Sequence, residues 1–263
     1  MAPRLKVRST TLEGKVVIVT GASSGIGAAT ATAMAKRGAS VVAVARRMDR
    51  LEETVKACGP EALAVTADVA DPESAERVVR SALDRFRSID VLVNNAGIDL
   101  HKDAAETTFE EIERVFAVNF FGAVRLTLAV LPTMIAAGGG TVVSVTSVAG
   151  YLPNPREAAY GASKAALSLW SDGVGVDLHD RGIHVAVVSP GPIDTEIWGH
   201  GPQSYDGKLY PASVVADAIV DVVEGGRSRR TAPRRFGVFG PMYAVAGAPM
   251  RWGLRRFGSR ERR

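Results

Sequence analysis

The sequence predicts an α/β protein with a single doubly wound domain, in which a parallel sheet of about seven strands carries helices on both faces. Short runs that are almost wholly apolar alternate with longer segments of helical periodicity. A glycine-rich turn follows the first apolar run and opens the first helix. There is no internal repeat, and no linker rich in Pro, Gly or Ser divides the chain before residue 190.

The elements follow one another in strict strand and helix alternation. The expected strands are Lys15–Thr20, Ser40–Ala45, Ala62–Thr66, Ile89–Val93, Thr141–Thr146 and Ile183–Ser189. The expected helices are Gly25–Arg37, Arg50–Ala57, a segment from Pro72 to about Phe86, one long helix over Phe109–Ala136, Glu157–Leu178 and Val214–Glu224. Because crossovers between parallel strands are right-handed, this order gives a Rossmann-type sheet.

The length of 263 residues fits one large domain with short additions at its ends. We expect an N-terminal extension over 1–11, the Rossmann-type domain over 12–230 and a basic C-terminal tail over 231–263. Gly, Pro and aromatic residues become frequent after Pro190, so residues 191–211, which include Trp198, Tyr205 and Tyr210, are expected to form a substrate lid.

The positive charge is concentrated near the C-terminus. The whole chain carries a net charge of +4, yet residues 227–263 contain eleven arginines and a single acidic residue, Glu261. Nucleic acid is not expected as a partner. Three interpretations of the tail remain open: a solvated terminus, a peripheral contact with anionic lipid, or a helix that packs on a neighbouring subunit or over the pocket.

The cysteine and histidine content limits the compartment and the chemistry. Cys58 is the only cysteine, so no internal disulfide can form, and the first residues lack the pattern of a signal peptide. We expect a cytoplasmic protein, with peripheral membrane contact as the alternative. The histidines show no metal-ligand spacing, and no metal site is expected; they are His101, His179, His184 and His200.

The turn after the first strand predicts a dinucleotide site. Residues 20–27 read Thr-Gly-Ala-Ser-Ser-Gly-Ile-Gly, and the N–H groups of the following helix favour a pyrophosphate. The glycine spacing, G-x-x-x-G-x-G, resembles that of the short-chain dehydrogenase/reductase family. The candidate cofactor residues of this turn are Gly21, Ser23, Ser24, Gly25, Ile26 and Gly27.

The end of the second strand indicates which cofactor is used. NAD-preferring folds place an acidic residue there, whereas this chain has Arg46 and Arg47, and Arg46 can bind a 2′-phosphate. The cofactor is therefore predicted to be NADP(H), with the part played by Arg47 left open. Further cofactor contacts are implied by the family resemblance alone: Asp68, Val69, Asn95, Ala96, Gly97, Pro190, Gly191, Ile193 and Thr195.

Tyr160 and Lys164 are four positions apart in the sequence and therefore share one face of a helix. A nearby ammonium lowers the pKa of a phenol, so we expect Lys164 to lower that of Tyr160. Ser147 and Asn119 resemble the family's substrate-binding serine and its water-holding asparagine. Ser144, on the same strand as Ser147, is expected to be structural. Arg156 and Glu157 depart from the small or apolar residues expected before Tyr160.

The resemblance implies an NADP(H)-dependent oxidoreductase that interconverts a carbonyl and an alcohol. Tyr160 would be the acid/base, Ser147 would bind the substrate oxygen, Lys164 would hold the nicotinamide ribose, and Asn119 would complete a proton path. The substrate is expected to be a partly apolar alcohol or ketone. The alternative is a catalytically idle NADP(H)-binding regulator or scaffold.

A dimer or tetramer is also expected, built on the helices Phe109–Ala136 and Glu157–Leu178. The family resemblance and the small residues of the second helix suggest it, since small residues allow close helix packing. Those residues are Gly161, Ala162, Ala165, Ala166, Gly173 and Gly175.

Overall fold

A computed structural model describes residues 11–198, 207–247 and 250. Within them lies one parallel sheet of seven strands in the order β3-β2-β1-β4-β5-β6-β7. The strands are β1 Val16–Thr20, β2 Ser40–Ala45, β3 Ala62–Thr66, β4 Val91–Asn94, β5 Gly140–Val145, β6 Ile183–Pro190 and β7 Arg229–Ala232. The predicted fold class is confirmed.

Seven main helices connect and cover the strands. They are α1 Gly25–Ala35, α2 Met48–Cys58, α3 Ser74–Phe86, α4 Phe109–Phe116, α5 Ala123–Ala136, α6 Ala158–Asp177 and α7 Ser213–Gly225. Short 3-10 turns lie at Val148–Gly150, His179–Arg181, Glu196–Trp198 and Arg234–Val238. Residues 239–247, which we call the tail helix, are also helical.

The strands consist of β-branched residues because both faces of the sheet are covered. In β1, Val17 and Val19 join a core cluster that also contains Met34 of α1 and Ile219 of α7. Ile18, between them in sequence, belongs to the opposite cluster, beneath α3 and α5. Successive side chains of a strand point to opposite faces, so an uninterrupted apolar run supplies two cores.

The order of the strands reverses between β1 and β4, which makes this the switch point of the sheet. Connections diverge from the carboxyl ends of these two strands and leave a crevice between them. Asn95, just after β4, joins the two ends: its backbone N–H donates to Thr20 Oγ1 at 2.9 Å and its Nδ2 to the Thr20 carbonyl at 2.9 Å. The crevice therefore begins at a rigid edge.

The long helix expected over Phe109–Ala136 is continuous but not uniform. A π-helical turn, Ala117–Gly122, separates α4 from α5. By length and apolar composition the combined helix could cross a membrane. However, 44% of its most apolar stretch is buried inside the protein, and buried core helices have the same length and composition. Its apolar character is explained by packing on the sheet.

The strand β7 spans residue 230, where the sequence predicts the end of the Rossmann-type domain. Its backbone pairs with β6 from Val187↔Arg229 to Pro190↔Ala232. This segment carries no apolar signal, since the edge strand begins with two arginines whose side chains form ion pairs with Asp172 and Asp221. The sheet therefore extends at least to Ala232.

Candidate active site

The glycine turn lies at the mouth of the crevice and keeps the start of α1 open. A side chain at Gly27 would meet the Gly21 carbonyl oxygen, 2.1 Å from a Cβ atom, so the turn is closed by backbone contact. Ser24, the N-cap of α1, makes no side-chain cap, and the first turn of α1 contains no acidic residue. Free N–H groups and a positive helix end fit a pyrophosphate.

A cleft of about 460 Å³ runs from this turn to α6. Most of the predicted cofactor residues line it: Gly21, Ser23, Ser24, Gly25, Ile26, Arg46, Arg47, Asp68, Val69, Asn95, Ala96, Gly97, Tyr160, Lys164, Pro190, Gly191, Ile193 and Thr195. Ser147 lines it as well. Gly27 and Asn119 do not line the cleft; Gly27 packs on Gly21, and Asn119 is fully buried.

The two arginines after β2 have different surroundings. Arg47 Nη2 donates to the hydroxyls of Ser23 at 3.3 Å and Ser24 at 3.1 Å, and Arg47 Nη1 pairs with Glu196 at 3.1 Å. Arg46 is exposed and lies 3.8 Å from an Asp68 carboxylate oxygen. Arg47 thus connects the glycine turn to the segment after β6. The contact of Arg46 within the described residues is a long ion pair with Asp68.

The catalytic candidates converge at the end of β5. Lys164 is 3% exposed; its Nζ donates to the Val145 carbonyl at 3.0 Å and lies 5.9 Å from the centre of the Tyr160 ring. Burial lowers the pKa of Lys164 to about 8. Ser147 hydrogen-bonds the Tyr160 phenol. A phenol, a hydroxyl and a lysine therefore lie together at this end of the cleft.

The pKa of Tyr160 is shifted upward, the reverse of the direction expected from Lys164. Desolvation by burial is the main cause, and the hydrogen bond from Ser147 opposes it. The negative charges of Asp99 and Glu157 add to the increase. The expectation was wrong for the protein alone because it counted the ammonium and left out burial and two nearby carboxylates.

Asn119 lies in the π-helical turn, where it holds the loop that follows β4. Its Oδ1 accepts from the Ile98 N–H at 2.8 Å, and its Nδ2 donates to the Ile98 carbonyl and the Ser163 hydroxyl, each at 3.0 Å. A Cβ at Gly97 would lie 3.2 Å from Lys164 Nζ and 3.3 Å from Asn119 Oδ1. Asn119 Oδ1 and Lys164 Nζ therefore both lie beside Gly97.

Sequence reasoning missed several residues that line the cleft: Val44, Ala45, Ala67, Ile98, Asp99, Val118, Val145, Thr146, Glu157, Glu196 and Ile197. Glu157, 6% exposed, accepts from Asn154 Nδ2 at 2.8 Å. Asp99 is largely buried, and burial raises its pKa. The sequence contains a signal for both. Glu157 precedes Tyr160 by three positions, and Asp99 directly follows the Asn-Asn-Ala-Gly-Ile segment, so each is an acidic residue beside a predicted site.

Other predicted side chains take structural positions. The hydroxyl of Ser171 donates to that of Ser144 at 2.8 Å, and both serines are fully buried, as expected of a structural pair. Among the described residues, no group of His, Cys, Asp and Glu could hold a metal ion. His200 and Tyr205 lie outside the described residues, as do Trp252 and Phe257 of the tail.

The glycine turn, the switch-point cleft and the Ser147-Tyr160-Lys164 group have the arrangement that the family resemblance implied. The family model described as short chain dehydrogenase matches residues 15–205. The chain belongs to the short-chain dehydrogenase family. The match includes every candidate catalytic residue and ends before α7, β7 and the tail helix.

Relatives of this short-chain dehydrogenase include ketoacyl reductases. The ketoacyl reductase HetN of a Nostoc species is 40% identical over 185 residues, which are 69% of this chain and 64% of that protein. The crystal structure of a short-chain dehydrogenase from Streptomyces avermitilis is 33% identical, with a TM-score of 0.79, and the match covers 94% of this chain and 97% of that one.

A second solved structure bears on the cofactor. The 3-ketoacyl-(acyl-carrier-protein) reductase of Brucella melitensis, complexed with NADH, is 30% identical with a TM-score of 0.79. The match covers 85% of this short-chain dehydrogenase and 99% of that chain. The fold thus belongs to oxidoreductases that bind nicotinamide cofactors, and the choice between NAD(H) and NADP(H) depends on local residues.

Proposed function

We propose that this short-chain dehydrogenase is an NADP(H)-dependent oxidoreductase that interconverts a carbonyl and an alcohol, with Tyr160 as the acid/base. The observation that carries the proposal is the convergence of Ser147, Tyr160 and Lys164 at the inner end of a cleft that begins at an open helix N-terminus. When bound, the cofactor supplies the hydride.

Tyr160 holds the proton that the reduction needs. Its raised pKa keeps the phenol protonated, so it can donate to an oxygen that gains negative charge. Ser147 hydrogen-bonds the same phenol and positions a carbonyl oxygen between the two hydroxyls. Lys164, fixed by the Val145 carbonyl, places a positive charge beneath the phenol ring and favours its ionised form when the proton leaves.

Arg46 supports a preference for NADP(H). Its guanidinium lines the cleft at the end of β2, where it is exposed, and no hydrogen bond within the described residues would have to break before it turned to a 2′-phosphate. The free ribose 2′-hydroxyl of NAD(H) would need a hydrogen-bond acceptor at the end of β2. The residue before Arg46 is Ala45, whose side chain cannot accept a hydrogen bond. Arg47 contributes less directly, because it already bridges Ser23, Ser24 and Glu196.

The substrate is proposed to be a partly apolar alcohol or ketone. Ile98, Val118, Ile197 and Pro190 line the cleft near its catalytic end and exclude water from a bound carbon chain. Asp99 and Glu157 add an acidic side to this end of the cleft. Like charges repel, so a neutral substrate fits better than one with a carboxylate beside the carbonyl.

Tyr160→Phe tests the proposal. Removal of the proton donor is expected to lower kcat by about 10²- to 10⁴-fold, with NADPH binding retained because the ring remains. The measurement is NADPH absorbance with a panel of ketones, together with NADPH fluorescence for binding.

Tyr151→Phe is the matched control. The Tyr151 hydroxyl donates to the Phe236 carbonyl at 3.4 Å, and this tyrosine does not line the cofactor cleft. Its variant should keep kcat within a few-fold of the unmodified protein. If Tyr160→Phe retained a tenth of kcat or more, Tyr160 would not be the acid/base.

A further inference from the structure

The outward side of the tail helix contains no polar residue. Its exposed positions are Pro241, Met242, Ala244 and Val245, with Met242 50% and Val245 91% exposed. Val238, just before the helix, is 55% exposed. A helix on the surface of a globular protein ordinarily turns charged or polar residues to water. This face therefore calls for an apolar neighbour, and residues 11–198 and 207–247 do not supply one.

The inward side of the tail helix is anchored beside the cleft. A Cβ at Gly240 would lie 3.2 Å from the Tyr151 ring, and the Phe239 ring packs on Phe236 with centroids 5.9 Å apart. Phe236 in turn lies against Gly191, where a Cβ would come within 2.9 Å of its ring. Packing on Tyr151 and Phe236 thus fixes the orientation of the tail helix, and its apolar face points outward as a result.

Charge around this face identifies its partner. Arg234 and Arg235 precede the helix and are exposed. After it, the sequence holds six more arginines against Glu261 alone, and these are Arg251, Arg255, Arg256, Arg260, Arg262 and Arg263. The rest of the chain is net acidic, since the whole carries only +4. An apolar face flanked by arginines fits a surface that is negative outside and apolar within.

A second copy of the chain fits this face poorly. In a symmetric dimer the same patch of each subunit would meet its counterpart, so Arg234 and Arg235 of the two subunits would approach each other. Like charges at short range oppose such a contact. An anionic bilayer has the opposite charge and accepts apolar side chains between its headgroups.

We propose that the tail helix and the basic segment after it dock this protein on the surface of an anionic lipid bilayer. Met242, Val245 and Val238 enter the boundary between headgroups and acyl chains, and the arginines contact the lipid phosphates. Docking would bring Gly191 and Ile197, at the substrate end of the cleft, close to the lipid. That consequence rests on the proposed function, and the docking itself does not.

Vesicle co-sedimentation with the full chain tests the docking. Vesicles of phosphatidylcholine mixed with phosphatidylglycerol should carry the protein down, while vesicles of phosphatidylcholine alone should not. Raised salt should weaken the binding, since the attraction to anionic lipid is screened. Replacement of Arg255 and Arg256 by Gln should lower the partition coefficient by about fivefold for each arginine.

The apolar face is tested by the double variant Met242→Asp with Val245→Asp. It should lower partitioning at least about tenfold, because two acids would enter the headgroup region. Phe109→Asp is the control, since Phe109 is 70% exposed and begins α4, where an acid suits the helix N-terminus. It should bind vesicles like the unmodified chain. NADPH fluorescence of each variant verifies that the fold and the cofactor site persist.

Three outcomes would overturn the proposal. The first is no binding of the unmodified chain to anionic vesicles. The second is equal binding by the double variant, which would leave only charge attraction. The third is a mass by light scattering that falls in the double variant without vesicle binding in either form, which would assign the face to a second copy. None of these outcomes depends on turnover, so a failure of the proposed activity remains distinguishable.

Discussion

Tyr160 and Lys164 are both shifted away from their ordinary pKa by burial, in opposite directions. The phenolate and the ammonium each lose hydration inside the protein, so the pKa of Tyr160 rises and that of Lys164 falls to about 8. Both shifts favour the neutral forms. A pKa of about 8 still leaves most of Lys164 protonated at neutral pH, whereas the Asp99 and Glu157 carboxylates oppose the ionisation of Tyr160. Ionisation of Tyr160 therefore needs further positive charge, which a bound oxidised nicotinamide would supply.

Glu157 sets part of the pH dependence. If Tyr160 is the proposed acid/base, it must be ionised to accept the alcohol proton in oxidation. Burial is the main cause of the raised pKa of Tyr160, and the Glu157 charge adds to it. Glu157→Gln removes that charge and lowers this pKa, so the phenolate persists to lower pH. The acidic limb of the kcat/KM profile for oxidation should move down by roughly half to one pH unit.

The control for this shift is Glu113→Gln, an exposed glutamate on α4. It makes the same change of charge away from the cleft and should leave the profile in place. An unchanged profile in Glu157→Gln, or a movement to higher pH, would contradict the assigned influence of Glu157 on the phenol.

Arg46 and Ala45 are expected to decide the cofactor. A charge-assisted hydrogen bond to the 2′-phosphate contributes about 1.5–3 kcal/mol, a preference of about tenfold to hundredfold for NADPH. Ala45→Asp with Arg46→Ala replaces the phosphate ligand by an acceptor for the ribose hydroxyl and should reverse the preference. The measurement is the ratio of kcat/KM for NADPH and NADH.

Arg47→Ala tests whether the preference for NADPH depends on Arg46 in particular or on any arginine after β2. Because Arg47 is bound to Glu196 and the two serines of the turn, its loss should affect both cofactors alike and leave the ratio nearly unchanged. If the unmodified protein used NADH as well as or better than NADPH, the arginine at the end of β2 would have no bearing on selection.

At the scale of elements, hydrogen bonding explains the interruption of the long helix. The π-helical turn places Asn119 so that both ends of its amide bind Ile98, and the loop after β4 is fixed against α6 through Ser163. An Asn inside a helix signals a special role but does not reveal a π turn.

The strand β7 could not be predicted from its residue pattern. It is specified by backbone pairing at the edge of the sheet rather than by apolar side chains.

For the whole molecule, an apolar surface supports the expected dimer or tetramer. Phe121 in the π turn and Leu128 in α5 are seven positions apart in the sequence. Leu169 and Val176 in α6 are also seven positions apart. They are 46%, 56%, 76% and 79% exposed. A spacing of seven, two helical turns, puts each pair on one side of its helix. We propose that these two faces form the subunit interface of the oligomer.

The small residues of α6 serve this interface only in part. A Cβ at Gly161 would meet the Ala149 carbonyl oxygen at 2.8 Å, and one at Gly175 would meet Val185 at 3.3 Å. Both glycines are thus used within the subunit. Nothing described lies within 4 Å of a Cβ at Gly173, so that position is open to a partner.

Leu128→Glu with Val176→Glu should turn the assembly into monomers, because two charges in each subunit would be buried without partners. Light scattering at micromolar concentration gives the mass. Met48→Glu, an equivalent change at an exposed residue that begins α2, should leave the assembly intact. A monomeric mass for the unmodified protein would refute the oligomer.

The sequence by itself determined six of the seven strands of the sheet, the cofactor turn and the candidate catalytic residues. These depend on local signals: apolar runs for buried strands, glycines where backbone meets backbone, and a Tyr and a Lys one helical turn apart. The tertiary structure alone decided the sign of the Tyr160 pKa shift, the engagement of Arg47 with Glu196, and the outward apolar face of the tail helix. Burial and long-range ion pairs join residues far apart in the chain, and no pattern within a single segment records them.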